Sequence, residues 1–483
     1  MAVLDKLQPE KVFYYFEKLC SVPHGSGNTK QISDLIVSFA EEHGFEYYQD
    51  ELNNVIIIKE ASRGCEKSAP VIIQGHIDMV CEKAPDCTKD MEHEGLDLAV
   101  DGDTVYSKGT TLGGDDGIAI AMGLALLDDD SLRHPRIELL CTVDEEVGMD
   151  GAFGVDLSPL KGRTMINIDS EEEGIFTVGC AGGCTATCRF DAVRDEYSGR
   201  AVRIKIAGLK GGHSGEEIDK FRANADMLMG RLLYKLKKSA DFRIASVDGG
   251  LKNNAIPTAC TAEIFCSDAE AVKNCCEAMD KVFAFEYSST DGNITVTASE
   301  LSEAKYMPMS AECTDRIITF LLTAPNGIQE MSPDIKGLVE TSLNLGILTT
   351  NESMVSAQFC IRSSVESRKD MMAYKLQALS EGLGGECIID GGYPGWKYNP
   401  SSNLRELMVE IFKKQYGHEP VVKAIHAGLE CGLFMDRLPD LDCISIGPDI
   451  TDIHTFSEKL HIESVQRTWK LVTKTIECLS NQK

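Results

Sequence analysis

The sequence predicts an α/β protein whose first domain is interrupted by an inserted second one. Short β-branched runs recur along the chain: NVIII from Asn54, PVII from Pro70, RIELLCTV from Arg136, TMINI from Thr164 and CISI from Cys443. They are apolar at successive positions, with helical patterns between several of them, as in a sheet covered on both faces. Near residue 186 the texture changes to alternating segments such as AVRIKIAG, separated by helical stretches such as FRANADMLMGRLLYKLKK. Near residue 400, NPSSNLRELMVEIFKKQYG resumes a helical pattern. The expected partition is therefore 1–185, an insert over 186–399, and a return to the first domain over 400–483.

The elements follow from local chemistry. Pro9 opens a helix whose apolar positions Val12, Phe13, Phe16 and Leu19 fall at helical spacing, and Pro23 stops it. Asn28 is expected to cap a second helix, with Ile32, Leu35, Ile36 and Phe39 as its buried stripe and Gly44 as its C-terminal stop. GSGNTK vaguely resembles a phosphate loop, but it follows a helix and lacks the GxxxxGK[ST] pattern, so it reads as a turn. Cys180, Cys184 and Cys188 recur every four residues. In the strand-like GCAGGCTATCRF they read as small buried residues on one face rather than as a metal comb. The acidic triplets Asp128–Asp130 and Glu171–Glu173 read as solvated ends of elements. HIESVQRTWKLVTKTIECL forms a final helix.

Composition narrows the function. With 483 residues, 43% hydrophobic and 26% charged, the chain has the make-up of a multidomain globular protein. Its net charge of −28 repels phosphate backbones and anionic lipid, which argues against nucleic-acid and membrane partners. No apolar stretch approaches the ~20 residues that span a bilayer. The opening MAVLDKLQPEK scatters charge where a secretory signal needs an apolar core. A cytoplasmic setting is expected, with the 18 cysteines reduced.

The informative pattern is where acids and imidazoles fall. His76 and Asp78 follow one apolar run, Asp144, Glu145 and Glu146 another, and Asp169 a third. In open α/β sheets ligands bind beyond the carboxyl ends of the strands. TLGGDDGIAIAMGLALL sets Asp115 and Asp116 at the start of an apolar helix, and CISIGPDITDIHTFSE places Asp449, Asp452 and His454 in a loop after a strand. So many carboxylates at one edge repel one another unless a cation neutralises them. Imidazole with carboxylate and no thiolate suits zinc, and also cobalt or manganese, in an open catalytic site. Five candidate ligands, His76, Asp115, Glu146, Asp169 and His454, exceed the needs of one four-coordinate ion, and two metals fit best, with Asp115 as bridge. Asp78 suits the orientation of His76. Glu145, left uncoordinated, suits a general base that takes the proton of a metal-activated water attacking a carbonyl.

The segments GHIDMV, GGDDG, DEEVG, NIDSEE and IHTFSE resemble, in order and context, the metal-site segments of the co-catalytic zinc exopeptidases. That family includes carnosinases, peptidase T, aminoacylases and succinyl-diaminopimelate desuccinylase. SVPHGSGNTK, YSKGTTLGGDDGIA, GLKGGHSGEEI, LKNNAIP and AIHAGLECG are similar to its aminoacyl-histidine dipeptidase subgroup, so the resemblance covers nearly the whole chain. It implies a three-layer α/β/α catalytic domain with an inserted α+β lid that closes over substrate. It assigns His76, Asp115 and Asp169 to one zinc and Asp115, Glu146 and His454 to the other, with Glu145 as base and Asp78 as orienting acid. His213 of GGHSG is implied to stabilise the oxyanion, Asn254 and Arg362 to hold the substrate's terminal carboxylate, and Gly428 to line the site. Asp116 stands where many relatives carry Asn, and is expected to face groups behind the metals.

The function this implies is zinc-dependent hydrolysis of unblocked dipeptides, including aminoacyl-histidine and β-alanyl-histidine, by a monomer or homodimer. Two alternatives stay open: an N-acyl-amino-acid amidohydrolase on the same scaffold, and a catalytically silent metal-binding relative. A free amino group on the substrate is required by the dipeptidase and not by the amidohydrolase.

Overall fold

The computed structural model describes residues 3–481, which divide into two compact units. The first comprises Met1–Gly179, Tyr398–Ala424 and Leu429–Lys483; the second comprises Cys180–Lys397 and Ile425–Gly428. The fold is mixed α/β, as the sequence predicts.

The first unit is built on an eight-stranded sheet. Its order is Glu46–Gln49, Val55–Lys59, Ile137–Thr142, Val71–His76, Thr164–Asn167, Asp442–Ser445, Ile175–Cys180 and Val421–Ile425. The β-branched runs supply the centre, where Val71–His76 pairs in parallel with Ile137–Thr142 and with Thr164–Asn167, and the latter in parallel with Asp442–Ser445. Every residue of Val55–Lys59, Val71–His76 and Ile137–Thr142 is buried, so these strands are covered on both faces. The helix Gly114–Leu127, apolar all round after its first turn, is also buried throughout and packs on Val71–His76 and on the helix Glu10–Cys20. A small antiparallel sheet, Ile450–Thr451, Lys459–His461, Thr104–Ser107 and Leu98–Asp101, completes the unit.

Three local expectations need correction. The second helix is Lys30–His43 with Thr29, not Asn28, in the N-cap position; Asn28 instead donates its side-chain amide to the Glu92 carbonyl. The cysteine series is divided between two strands: Cys180 ends Ile175–Cys180, and Cys184 and Cys188 lie buried in Gly182–Asp191. The acidic triplets are not simply solvated. Asp128 accepts from Tyr15 at 2.9 Å and pairs with Lys11 at 2.9 Å, and Glu173 takes both Arg467 Nε and Nη2 at 2.7 Å.

The second unit is an antiparallel sheet of nine strands with helices, in which the alternating segments read from the sequence become strands such as Arg200–Ala207. The helices Ala225–Leu236, Ala311–Thr323 and Glu366–Gly382 bury apolar side chains in the same core as the sheet. Asp226 sits fully buried in the first of these helices, and no cation pairs with it among the described residues. Burial, reinforced by Asp248, pushes its carboxyl up to about 7, and the Cys260 thiol offsets only part of this. A folded carboxyl raised above its unfolded value of ~3.9 holds a proton the unfolded chain has lost, so stability falls as pH rises from about 4 to 7. Asp226→Asn should therefore raise the melting temperature at pH 8 and change it little at pH 4, a contrast that thermal scans at the two pH values would measure.

Candidate metal and substrate site

The parallel pairing decides where the acids meet. Because Val71–His76, Ile137–Thr142, Thr164–Asn167 and Asp442–Ser445 run the same way, the residues that follow them emerge on one edge. His76 ends its strand, Glu145 opens the short helix Glu145–Gly148 after the second, and Asp169 lies two residues past the third. Asp115 is brought to the same edge by the first turn of Gly114–Leu127, and His454 by the loop between Ile450–Thr451 and Lys459–His461.

Asp115 stands between the two imidazoles. Its Oδ1 lies 3.2 Å from His76 Nε2 and its Oδ2 lies 3.3 Å from His454 Nε2. His76 Nε2 is 3.6 Å from Asp169 Oδ1, and His454 Nε2 is 3.0 Å from Glu146 Oε1. On its other side His76 turns Nδ1 to the Asp78 carbonyl at 2.9 Å, with Asp78 Oδ1 at 3.5 Å. The Asp78 carboxylate also accepts the Glu145 N–H at 3.2 Å and the Ser26 hydroxyl at 2.8 Å, so one buried residue holds the imidazole through its carbonyl and the backbone of Glu145 through its carboxylate. Asp116 accepts the His76 N–H at 3.3 Å.

The charges are strongly perturbed. Burial pulls the His76 pKa down, but Asp115, Asp169 and Asp78 outweigh it and hold it well above the ordinary imidazole value. Asp115 and Glu146 raise His454 to about 10. Burial pushes Asp169 up to about 6 against the pull of His76, and with neighbouring carboxylates it raises Glu145 well above the usual range. Glu171 is pushed to about 8 by burial and by Asp115 and Asp169, which places it in the field of the cluster. The edge holds more negative charge than its imidazoles balance.

This donor set fits a divalent metal. His76, Asp115 and Glu146 each offer a ligand atom within 4.8 Å of the others, and so do His76, Asp116 and Asp169. All the donors are imidazole nitrogen or carboxylate oxygen, the chemistry of catalytic zinc and of its cobalt and manganese substitutes.

The second unit carries its own polar cluster. Arg362, on the strand Met354–Ser363, is only 7% exposed, makes no ion pair among the described residues, and leaves Nε without an acceptor. Its Nη1 donates to the Tyr393 hydroxyl at 3.1 Å, and Nη2 lies 3.5 Å from His213 Nε2. Burial and then Arg362 hold both His213 and the nearby His426 below the usual imidazole value, so both are neutral at pH 7. His426 meets Ser342 at 2.7 Å. A Cβ on Gly428 would lie 2.9 Å from the Tyr393 ring, and one on Gly183 would lie 2.7 Å from it, so these two glycines seat the tyrosine that holds Arg362. Asn254 is exposed, with its carbonyl accepting the Ser214 N–H at 2.8 Å.

Residues that the sequence did not single out complete the picture. Glu430, fully buried, accepts from Gln74 at 2.6 Å and Thr142 at 2.7 Å, and Gln74 in turn accepts from Asn167 at 2.6 Å. Gln74, Thr142 and Asn167 each stand two residues before Asp144, His76 or Asp169 on adjacent strands, a spacing legible in the sequence once the strands are aligned. Glu458 and Tyr393 lie within or near quoted motifs but carry no signal that separates them from solvated residues.

The model of Peptidase family M20/M25/M40 matches residues 72–477. The chain is 36% identical over 481 residues, 99% of each chain, to the cytosol non-specific dipeptidase of Escherichia coli K12. The crystal structure of aminoacylhistidine dipeptidase from Vibrio alginolyticus superposes with a TM-score of 0.93 at 36% identity, covering 98% of both chains. The aminopeptidase PepT of Bacillus cereus shares the fold at a TM-score of 0.58 and 15% identity, over 98% of this chain and all of that one. The chain belongs to Peptidase family M20/M25/M40.

Proposed function

We propose that this peptidase is a cytoplasmic dipeptidase that binds two zinc ions and cleaves unblocked dipeptides, aminoacyl-histidine and β-alanyl-histidine among them. The observation that carries the reading is Asp115 offering one carboxylate oxygen to each of two imidazoles. His76, Asp115 and Asp169 would hold one ion, and Asp115, Glu146 and His454 the other. When bound, the ions supply Lewis acidity that polarises a carbonyl and makes water a better nucleophile near neutral pH.

The chain's own residues do the rest. Glu145 takes the proton from the attacking water and hands it to the departing amine. Asp78 holds the backbone of Glu145 through its N–H and keeps His76 in one tautomer, the proton on Nδ1 facing Asp78 and Nε2 free to coordinate. In the second unit Arg362, a buried guanidinium with no carboxylate beside it, would receive the terminal carboxylate of the dipeptide, with Tyr393 fixing its plane and His213 at its flank. The relatives named as dipeptidases support the substrate class.

Protein stripped of metal should fail to hydrolyse alanyl-histidine and recover on adding zinc, while N-acetyl-alanine stays intact; cleavage of the acetylated compound alone would identify an amidohydrolase instead. Glu145→Ala should lower kcat by about 10²–10⁴-fold with metal content unchanged, measured by steady-state assay beside metal analysis. Arg362→Ala should raise KM for alanyl-histidine by about tenfold or more with a smaller effect on kcat, since it removes a charge-assisted contact made in ground and transition states alike.

A further inference from the structure

Glu458 lies four residues beyond His454 and is 3% exposed. No lysine, arginine or histidine pairs with it among the described residues. Its carboxylate is instead surrounded by backbone donors. Oε2 accepts the N–H of Leu112 at 2.7 Å and of Gly113 at 3.1 Å; Oε1 accepts that of Gly114 at 2.8 Å and of Asp115 at 3.4 Å. These four amides are the turn that enters the helix Gly114–Leu127, where no intrahelical acceptor exists for them. Gly113 has φ +68°, the left-handed region, and a Cβ on Gly114 would come within 3.1 Å of Glu458 Oε1. The glycines thus let the turn close around the carboxylate.

The position of this contact gives it consequence. The turn ends on Asp115, and the loop that carries Glu458 also carries His454, so one carboxylate joins two segments 343 positions apart. The same two stretches of chain also meet through the short strand Lys459–His461 paired with Thr104–Ser107, and through the Ile462 N–H, which donates to the Asp103 carbonyl at 2.8 Å. The approach of His454 Nε2 to Asp115 Oδ2 at 3.3 Å depends on these loops keeping their register. His76 and Asp169 need no such device, because their strands pair directly in parallel.

We propose that Glu458 is a positioning residue that sets the affinity of one metal position, the one that His454 completes with Asp115 and Glu146, and bears far less on the other, whose His76 and Asp169 follow directly paired strands. This rests on the two-metal reading above. Replacement by glutamine keeps the size but leaves one acceptor oxygen, and turns an NH2 group toward amide donors. Replacement by aspartate keeps both oxygens on a shorter arm.

The test is zinc titration of the stripped full-length chain against a chromophoric chelator, for the wild type, Glu458→Gln and Glu458→Asp, with the visible spectrum of the cobalt-loaded proteins recorded beside it. Glu458→Gln should bind the first zinc as the wild type does and the second about 10–100-fold more weakly, the range typical for partners that hold metal ligands. Its kcat should recover at excess zinc with KM for alanyl-histidine unchanged, and Glu458→Asp should fall between it and the wild type. Two wild-type affinities in Glu458→Gln, or equal weakening of both, would overturn the proposal. If Glu458→Gln does not fold, Glu458→Asp decides by the same criterion: selective weakening of the second zinc supports the role, and unchanged or uniform affinities overturn it. A wild type that binds a single zinc would overturn the two-metal reading itself, an outcome separate from any difference between variants.

Discussion

Negative charge concentrated at one sheet edge is the constraint around which the first unit is arranged. Asp78, Asp115, Asp116, Glu145, Glu146 and Asp169 meet within the reach of two imidazoles, and several of these groups are fully buried. Isolated carboxylates in such surroundings would take up protons. The chain answers with donors: the Glu145 amide and Ser26 hydroxyl on Asp78, the His76 amide on Asp116, and the Gly27 amide on Asp144 at 2.6 Å. What these do not balance is left for cations, which is what suits the edge to a divalent metal.

Precision at that edge comes from a polar layer one step below it. Gln74, Thr142 and Asn167 interlock across three strands and close on Glu430, whose carboxyl burial pushes to about 8. A sheet made only of Ile and Val would be as well buried, but its strands would be held in register by backbone bonds alone. Directional side-chain bonds two residues before His76, Asp144 and Asp169 restrict how far each strand tip moves.

Much of this was legible in the sequence because its logic is local. Apolar runs followed by His or acid identify strand ends, and parallel pairing then sends them to one edge; His76, Asp78, Glu145, Glu146, Asp169 and His454 follow from that pattern and Asp115 from the acidic start of an apolar helix, and they lie together. The N-cap was misassigned because Asn28 and Thr29 are both good caps and only the path of the turn chooses between them. Glu458 and Glu430 were missed for a different reason. A single Glu in a loop or at a helix start is usually solvated, and nothing in the sequence shows four amides converging on Glu458, or Gln74 and Thr142 on Glu430, from segments far upstream. The same holds for Tyr393, whose role depends on two glycines distant from it in the chain.

The imidazoles and carboxylates of the edge begin at His76 and end at His454, and the contact of Leu112 with Glu458 spans 346 positions. A ribosome delivers them in that order, with the whole second unit emerging between Asp169 and His454. Until His454 has been added, a nascent chain carries His76, Asp115, Glu146 and Asp169 as an unfinished, acid-rich edge. The edge is complete only once the segment carrying His454 and Glu458 has been added, so two imidazoles far apart in the chain come to share Asp115 only through the finished fold.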